Sequence, residues 1–298
     1  MELVKKIDIH VHTIHARGIP RENNNGFFAK PEELFAIYDR IGVDKAVLLP
    51  TISPDKATQS NTNEEIMEIV NAYPDRFAWF CNIDPRQGCN SADTDFTYFI
   101  NYYKARGAKG VGELICNLYF DDPRCLALYK ACETCNMPVL FHIGDETGDY
   151  GLIDELHLPR IERVLQMFPK LRLIGHSQRW WAEIGDDVTN DTRCIYPKGK
   201  VNPGRVVELM RKYPNMCGDL SAGSGFNAVS RDPEFGYAFL EEFQDRLYYG
   251  TDISDSQDGN RPMLQLAAFL DDAVTNGKIS YDAYYKISRG NALKLLER

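Results

Sequence analysis

Along the chain, short apolar runs alternate with longer stretches in which apolar residues recur at helical spacing. The runs at residues 3–11, 45–49, 77–83, 109–114, 139–142, 172–175, 216–220 and 247–250 read as strands. Helices are expected to begin near Pro31, Asn63, Ala92, Pro123, Pro159, Asn202, Pro233 and Pro262, with a ninth near Ser280 closing the chain. Several open on proline, which a first turn tolerates because its missing N–H would have no partner there. In the second helix Ile66, Ile69, Val70 and Tyr73 form an i, i+3, i+4, i+7 stripe that ends at Pro74, so one face is directed at a core. Such alternation predicts a parallel sheet with crossover helices. An open doubly wound sheet would show the same pattern, but eight strand-helix units favour closure into a (β/α)8 TIM barrel.

Length and composition leave that expectation in place. A chain of 298 residues fits a one-domain barrel, no linker or low-complexity tract interrupts it, and residues 1–298 are therefore read as a single TIM-barrel domain. The aperiodic stretches 13–30, 144–158 and 177–199 each follow a strand, where the loops that roof a barrel's active face belong. A hydrophobic fraction of 44% can fill a large core. Thirty-four basic against 43 acidic residues give a net charge of −9, and without a basic stripe nucleic acid is not an expected partner. The first apolar stretch carries histidines, so neither a membrane span nor a signal peptide is expected. The eight cysteines read as reduced thiols of a cytoplasmic protein; Cys132 and Cys135 form a lone CxxC inside an expected helix, where zinc or redox chemistry is not expected.

Candidate chemistry gathers at strand ends. In Ile7-Asp8-Ile9-His10-Val11-His12 a period of two puts Asp8, His10 and His12 on one face and the aliphatics on the other, outward against helices. His142 closes the fifth strand, His176 follows the sixth and Asp252 the eighth. Buried imidazoles and carboxylates are costly without partners, so their convergence at one end of four strands points to a divalent metal, for which imidazole nitrogens are suited.

These residues and the phrases around them resemble the amidohydrolase superfamily, and within it the amidohydrolase-related family that includes aminocarboxymuconate-semialdehyde decarboxylase. The resemblance covers nearly the whole chain. It rests on the opening IDIHVHT, NAYPDRF with the following NIDP, LFHIG at the fifth strand, GHS at the sixth, GTD at the eighth and the closing NALKLL. It implies a barrel of metal-dependent hydrolase type in which His10, His12 and His142 bind the metal, Asp252 binds it or takes a proton from its water, and His176 is a catalytic acid/base. The implied reaction is hydrolysis of a small carboxylated substrate by metal-activated water. Decarboxylation of a planar unsaturated or aromatic acid is the alternative, and a non-catalytic ligand-binding barrel a remote one. One divalent ion is expected, zinc first, with manganese, iron or cobalt also compatible. A homo-oligomer is left open.

Further residues carry lesser expectations. Glu113 could bridge a second metal, hydrogen-bond a ligand or be a structural acid. Lys109 shares its parity but lies about 13 Å deeper at ~3.3 Å per residue, too deep for a carbamylated bridge. Asp219 could touch substrate, support His176 or cap a turn, and Asp8 could sit below His10 and orient it. Arg179 and Trp180 follow GHS and are expected to line the mouth, the arginine holding a carboxylate and the tryptophan stacking on a ring, unless Trp180 and Trp181 only pack the loop. Arg17 and Arg261 are weaker candidates of the same kind; His15 and His157, in loops, are expected outside the site.

Overall fold

Every expected apolar run contributes a parallel strand: β1 (Lys6–Val11), β2 (Val43–Leu48), β3 (Phe77–Trp79), β4 (Val111–Leu114), β5 (Val139–Gly144), β6 (Leu173–His176), β7 (Met216–Asp219) and β8 (Leu247–Tyr248). The computed structural model describes residues 2–22, 24–55, 59–146 and 150–297. Pairing runs β1–β2–β3 and β4 through β8, with Leu152–Ile153 added beside β5. Two seams join these sheets. Cys81 N donates to Gly110 O at 3.0 Å and Gly112 N to Cys81 O at 2.9 Å; Ile9 N donates to Tyr249 O at 3.1 Å and His12 N to Ile253 O at 3.0 Å. The sheet thus closes into a (β/α)8 barrel rather than remaining open.

Local sequence sets the helix limits. Pro31–Ile41, Pro123–Thr134, Pro159–Met167 and Pro233–Glu242 start on their prolines, and Asn63–Ala72 starts behind Thr62, whose hydroxyl accepts from Glu65 N. Gly42 ends the first of these in a left-handed conformation (φ 74°), which an absent Cβ makes easy. The third expected helix begins at Phe96, later than its periodicity suggests, because Asp95 caps it through Thr97 N. The sixth begins at Arg205, and the eighth opens as a tight turn, Pro262–Leu264, before Gln265–Thr275. Two short helices, Gln178–Ala182 and Ala222–Ser230, were not foreseen. No helix among the described residues is long and apolar enough to cross a membrane.

Apolar packing divides into an inner and an outer layer. Ile7, Ile9, Val47, Leu49, Phe80, Leu140, Ile174, Cys217 and Tyr248 form one cluster, drawn from around the barrel and plugged by Ala292 and Leu295. A larger cluster, including Val11, Leu48, Trp79, Phe141 and Leu173, packs against the helices. Full burial of each such aliphatic contributes roughly 1.5–3 kcal/mol. The expected facing of β1 is thereby corrected. Ile7 and Ile9 pack in the inner cluster, whereas Asp8 accepts a hydrogen bond from Tyr38 on helix Pro31–Ile41 at 2.7 Å. Beyond a first irregularity between Lys6 and Ile7, the β1–β2 register has another between Asp8 and Val11. It breaks the strict alternation and lets His10 and His12 turn into the mouth above inward-facing isoleucines.

Candidate metal centre

His10, His12, His142, His176, Glu113, Asp219 and Asp252 come together at the carboxyl end of the barrel. Their orientation begins with the groups behind them. His12 Nδ1 lies 3.0 Å from the carbonyl oxygen of Leu49. That oxygen can only accept, so Nδ1 carries the hydrogen and Nε2 presents a lone pair. His10 Nδ1 lies 2.7 Å from Asp219 Oδ2, which selects the same tautomer. The Ser221 hydroxyl donates to that carboxylate at 2.7 Å and can accept from His176 Nδ1 at 2.9 Å, leaving His176 Nε2 bare as well. Asp219 is itself held by Ser221 N, and Trp181 Nε1 donates to its carbonyl at 2.8 Å.

In front, imidazole nitrogens and carboxylate oxygens crowd together. His10 Nε2 and His12 Nε2 are 3.2 Å apart, and Glu113 Oε2 is 3.4 Å from each. Asp252 Oδ1 lies 3.5 Å from the first and 3.6 Å from the second, and its Oδ2 is 3.8 Å from His176 Nε2. Glu113 Oε1 is 2.9 Å from His142 Nδ1 and 3.7 Å from His176 Nε2. Asp252 takes a left-handed backbone (φ 57°), which Asp tolerates, and its N–H donates to His10 O at 2.8 Å. Glu113 is steadied through Asn82, whose amide donates to the carbonyls of Glu113 and Pro50.

Electrostatics describe a site short of positive charge. Among the described residues, Glu113, Asp219 and Asp252 form ion pairs with histidine alone, not with Lys or Arg. Burial pulls the His10 imidazole down, but the carboxylates of Glu113, Asp252 and Asp219 outweigh it and hold the ring well above its usual value. Burial would raise Glu113 and Asp219, yet the charge on His10 and hydrogen bonds from the histidines hold both well below the carboxylate range. Without a cation His10 thus favours a second proton on Nε2, and a divalent cation of borderline softness would take that proton's place among imidazole nitrogens and ionised carboxylates that pair with no lysine or arginine among the described residues.

The expected ligands separate into groups. The ligand atoms of His10, His12 and Asp252 lie within 4.8 Å of one another, and so do those of Glu113, His142 and His176. His142 is thus brought to the centre on the far side of Glu113 from the β1 histidines. Asp219 does not face the cavity; it is fully buried and orients His10 and His176. Asp8 acts from the side, its Oδ1 accepting from the backbone of His10 and Thr251. Arg179 pairs with Asp145 and lines a small chamber of about 170 Å³ with Tyr196, His142, His176 and Asp252. Arg261 lines the main cavity, whereas Arg17 pairs with Glu33 outside it. His157 is bonded to Glu183.

Trp180 corrects an expectation: it is fully buried and packs outside the sheet against Phe141 and Gly175, not at the mouth. A Cβ on Gly175 would come within 2.4 Å of its ring, so the glycine of GHS makes room for the indole.

The main cavity, about 570 Å³, opens over the cluster and contains residues that sequence reasoning missed. Phe28 lies parallel to His12 at 5.5 Å, and Arg21 lies 5.2 Å above Phe28, its guanidinium bonded to Asp255 and Ser254 O. Thr51, Gln59 and Tyr150 complete the wall. Phe28 and Arg21 sit in an aperiodic loop, where sequence pattern marks no direction. Ser221 could have been found, since it stands two residues beyond Asp219 at the end of β7.

The amidohydrolase family model matches residues 7–298. The chain belongs to the amidohydrolase family. A search of curated proteins finds no match. Solved structures with the same fold include an uncharacterized TIM-barrel protein from Bordetella bronchiseptica, 19% identical over 99% of both chains with a TM-score of 0.64. A probable 2-pyrone-4,6-dicarboxylic acid hydrolase from Acinetobacter baumannii, with citric acid bound, is 15% identical over 99% of this chain and 100% of its own (TM-score 0.59). A dihydroxybenzoic acid decarboxylase from Polaromonas, with bound manganese and the inhibitor 2-nitroresorcinol, is 15% identical over 99% and 97% (TM-score 0.61). Within this amidohydrolase, the family's enzymatic character and a metal-binding cluster are established by the match and the convergent side chains; the reaction is not fixed by them.

Proposed function

We propose that this amidohydrolase is a divalent-metal-dependent hydrolase of a small carboxylated molecule, zinc being the preferred ion. The observation that carries the reading is Asp252. Its carboxylate is 28% exposed to the cavity while its oxygens stand 3.5–3.8 Å from the bare Nε2 atoms of His10, His12 and His176. His10, His12 and Asp252, with Glu113 and His142 alongside, would hold a divalent cation, which would supply Lewis acidity and lower the pKa of a bound water to about 7.

The side chains divide the remaining work. Asp252 accepts the proton from attacking water and returns it to the leaving group. His176, fixed by Ser221 and Asp219, presents Nε2 toward the same space and stands ready as acid/base. Arg21, anchored over Phe28, and Arg261 give the cavity its cationic groups for a substrate carboxylate, and Arg179 does so in the smaller chamber.

Decarboxylation is the second reading, supported by the flat face of Phe28 beside His12, against which a planar acid could lie with its carboxyl at the cluster. Paired substrate sets separate the two. Lactones, esters and amides of dicarboxylic acids in ¹⁸O-water should yield product bearing one ¹⁸O, with activity lost on chelation and restored by zinc or manganese. Carbon dioxide release from hydroxylated aromatic acids, with no turnover in the first set, would replace hydrolysis by the lyase reading.

A further inference from the structure

We propose that the smaller chamber is a carboxylate subsite, built from the N-terminal turn of helix Ala222–Ser230 and the hydroxyl of Ser224. This deepens the proposed function and rests on it only for the claim that the carboxylate belongs to a substrate. The chamber, about 170 Å³, is lined by Ala222 and Ser224 as well as by His176 and Asp252.

A helix leaves its first N–H groups without intrahelical acceptors, and the side chain at the N-cap ordinarily takes one of them. Here the N-cap is Ser221, and its side chain takes none. Its hydroxyl instead donates to Asp219 Oδ2 at 2.7 Å and lies 2.9 Å from His176 Nδ1. Ala222 N donates to Thr251 O at 3.2 Å and Gly225 N to Ser221 O at 3.1 Å, which leaves the N–H groups of Gly223 and Ser224 without an acceptor among the described residues. By orienting Asp219 and His176, Ser221 leaves a nine-residue helix uncapped at the chamber.

A second, independent observation points to a ligand there. Ser224 is 4% exposed and lines the chamber, and its Oγ has no hydrogen-bond partner. A buried hydroxyl left unpaired costs about 1–3 kcal/mol, and an acceptor entering the chamber would relieve that cost. Glycine at position 223 keeps the approach open, since a Cβ would stand 3.0 Å from Tyr196 Oη. Two N–H groups and a hydroxyl at a helix N-terminus suit an oxyanion. A singly charged carboxylate fits better than a dianion, because Asp252 shares the chamber and the charge of Arg179, which also lines it, is engaged by Asp145. His142, Tyr150 and Asp252 line both this chamber and the main cavity. A substrate anchored here by one carboxylate would therefore pass the cluster on its way into the larger space.

The test is titration with sodium acetate of full-length protein, deuterated and nitrogen-15-labelled, stripped of metal by chelator and dialysed, at constant ionic strength. Acetate should shift the amide resonances of Gly223 and Ser224 to saturation, and Ser224→Ala should weaken the affinity read from them roughly tenfold. Circular dichroism checks the fold of the variant, and the wild-type titration decides alone if the variant does not fold. No saturable shift at these two amides in wild type overturns the subsite, as does wild-type acetate affinity in folded Ser224→Ala. Inorganic phosphate binding more tightly than acetate at the same amides overturns the assignment to a carboxylate. Hydrolysis in ¹⁸O-water without acetate binding removes the subsite alone, whereas acetate binding without hydrolysis upholds the subsite and removes the hydrolase reading.

Discussion

Asp219→Asn is the substitution that most sharply separates orientation of the ligands from their mere presence. Asp219 touches no cavity, yet its Oδ2 lies 2.7 Å from His10 Nδ1, accepts from the Ser221 hydroxyl at 2.7 Å and is 3.3 Å from His176 Nδ1. An acid that only accepts makes His10 keep its hydrogen on Nδ1, so Nε2 faces the centre bare. The introduced amide can instead donate to Nδ1, moving the ring hydrogen to Nε2 and aiming it at His12 Nε2, now 3.2 Å away. Loss of such a partner weakens metal affinity by roughly 10–100-fold, or about 1.4–2.7 kcal/mol. The size of the side chain is unchanged, so the barrel should fold as before. Competition against a chromophoric chelator measures zinc affinity directly, and nitrogen-15 chemical shifts of the histidine rings report the tautomer. A folded variant with wild-type affinity and an unchanged His10 tautomer would refute the account of how the site is oriented.

Other perturbations follow from the same geometry. Asp252→Asn should lower turnover of any substrate found by roughly 10² or more while the protein still binds metal; comparable kcat in wild type and variant would remove Asp252 as proton carrier. Trp180→Ala should cost about 3–5 kcal/mol in denaturant unfolding because it empties a packed site against Gly175 and Phe141; a loss below about 1 kcal/mol would contradict that packing. Burial raises the Asp8 carboxyl from 3.8 to about 6. Between those values the folded metal-free protein retains a proton on Asp8 that the unfolded chain releases, so the Asp8 contribution to unfolding free energy should fall as pH rises through this window, by at most about 3 kcal/mol. Urea titrations in chelator should show unfolding free energy falling more steeply with pH in wild type than in Asp8→Asn across this window; equal slopes would rule out the Asp8 contribution.

Much of the architecture was legible because it rests on periodicity. The eight apolar runs and the prolines that open four helices are local signals, and each is found where the pattern placed it. What escaped depends on departures from periodicity or on distant partners. Inward-facing Ile7 and Ile9 are followed, across the irregularity between Asp8 and Val11, by His10 and His12 in the mouth, and nothing in an alternating run announces it. Helix Gln178–Ala182 turns Trp180 behind the sheet into space left by Gly175, so the position after GHS pointed to the mouth although the side chain does not. The site was legible in its histidines and Asp252 because they end strands whose direction was known. Glu113 was visible as a strand-end acid, but its central place depends on four histidines from three other strands meeting its two oxygens. Phe28 stacks on His12, and Arg21 on Phe28, from a loop without period, and only the folded loop puts them there.

The central claim is that the β1 histidines anchor a divalent cation. It is tested most directly by elemental analysis of purified wild type beside the His10→Ala/His12→Ala double variant, both confirmed as folded. Wild type should contain at least one equivalent of zinc or manganese, and the double variant should lose the ion held by His10, His12 and Asp252. Wild type that stays free of metal after incubation with each ion, or a double variant that retains the full wild-type content, would contradict the account.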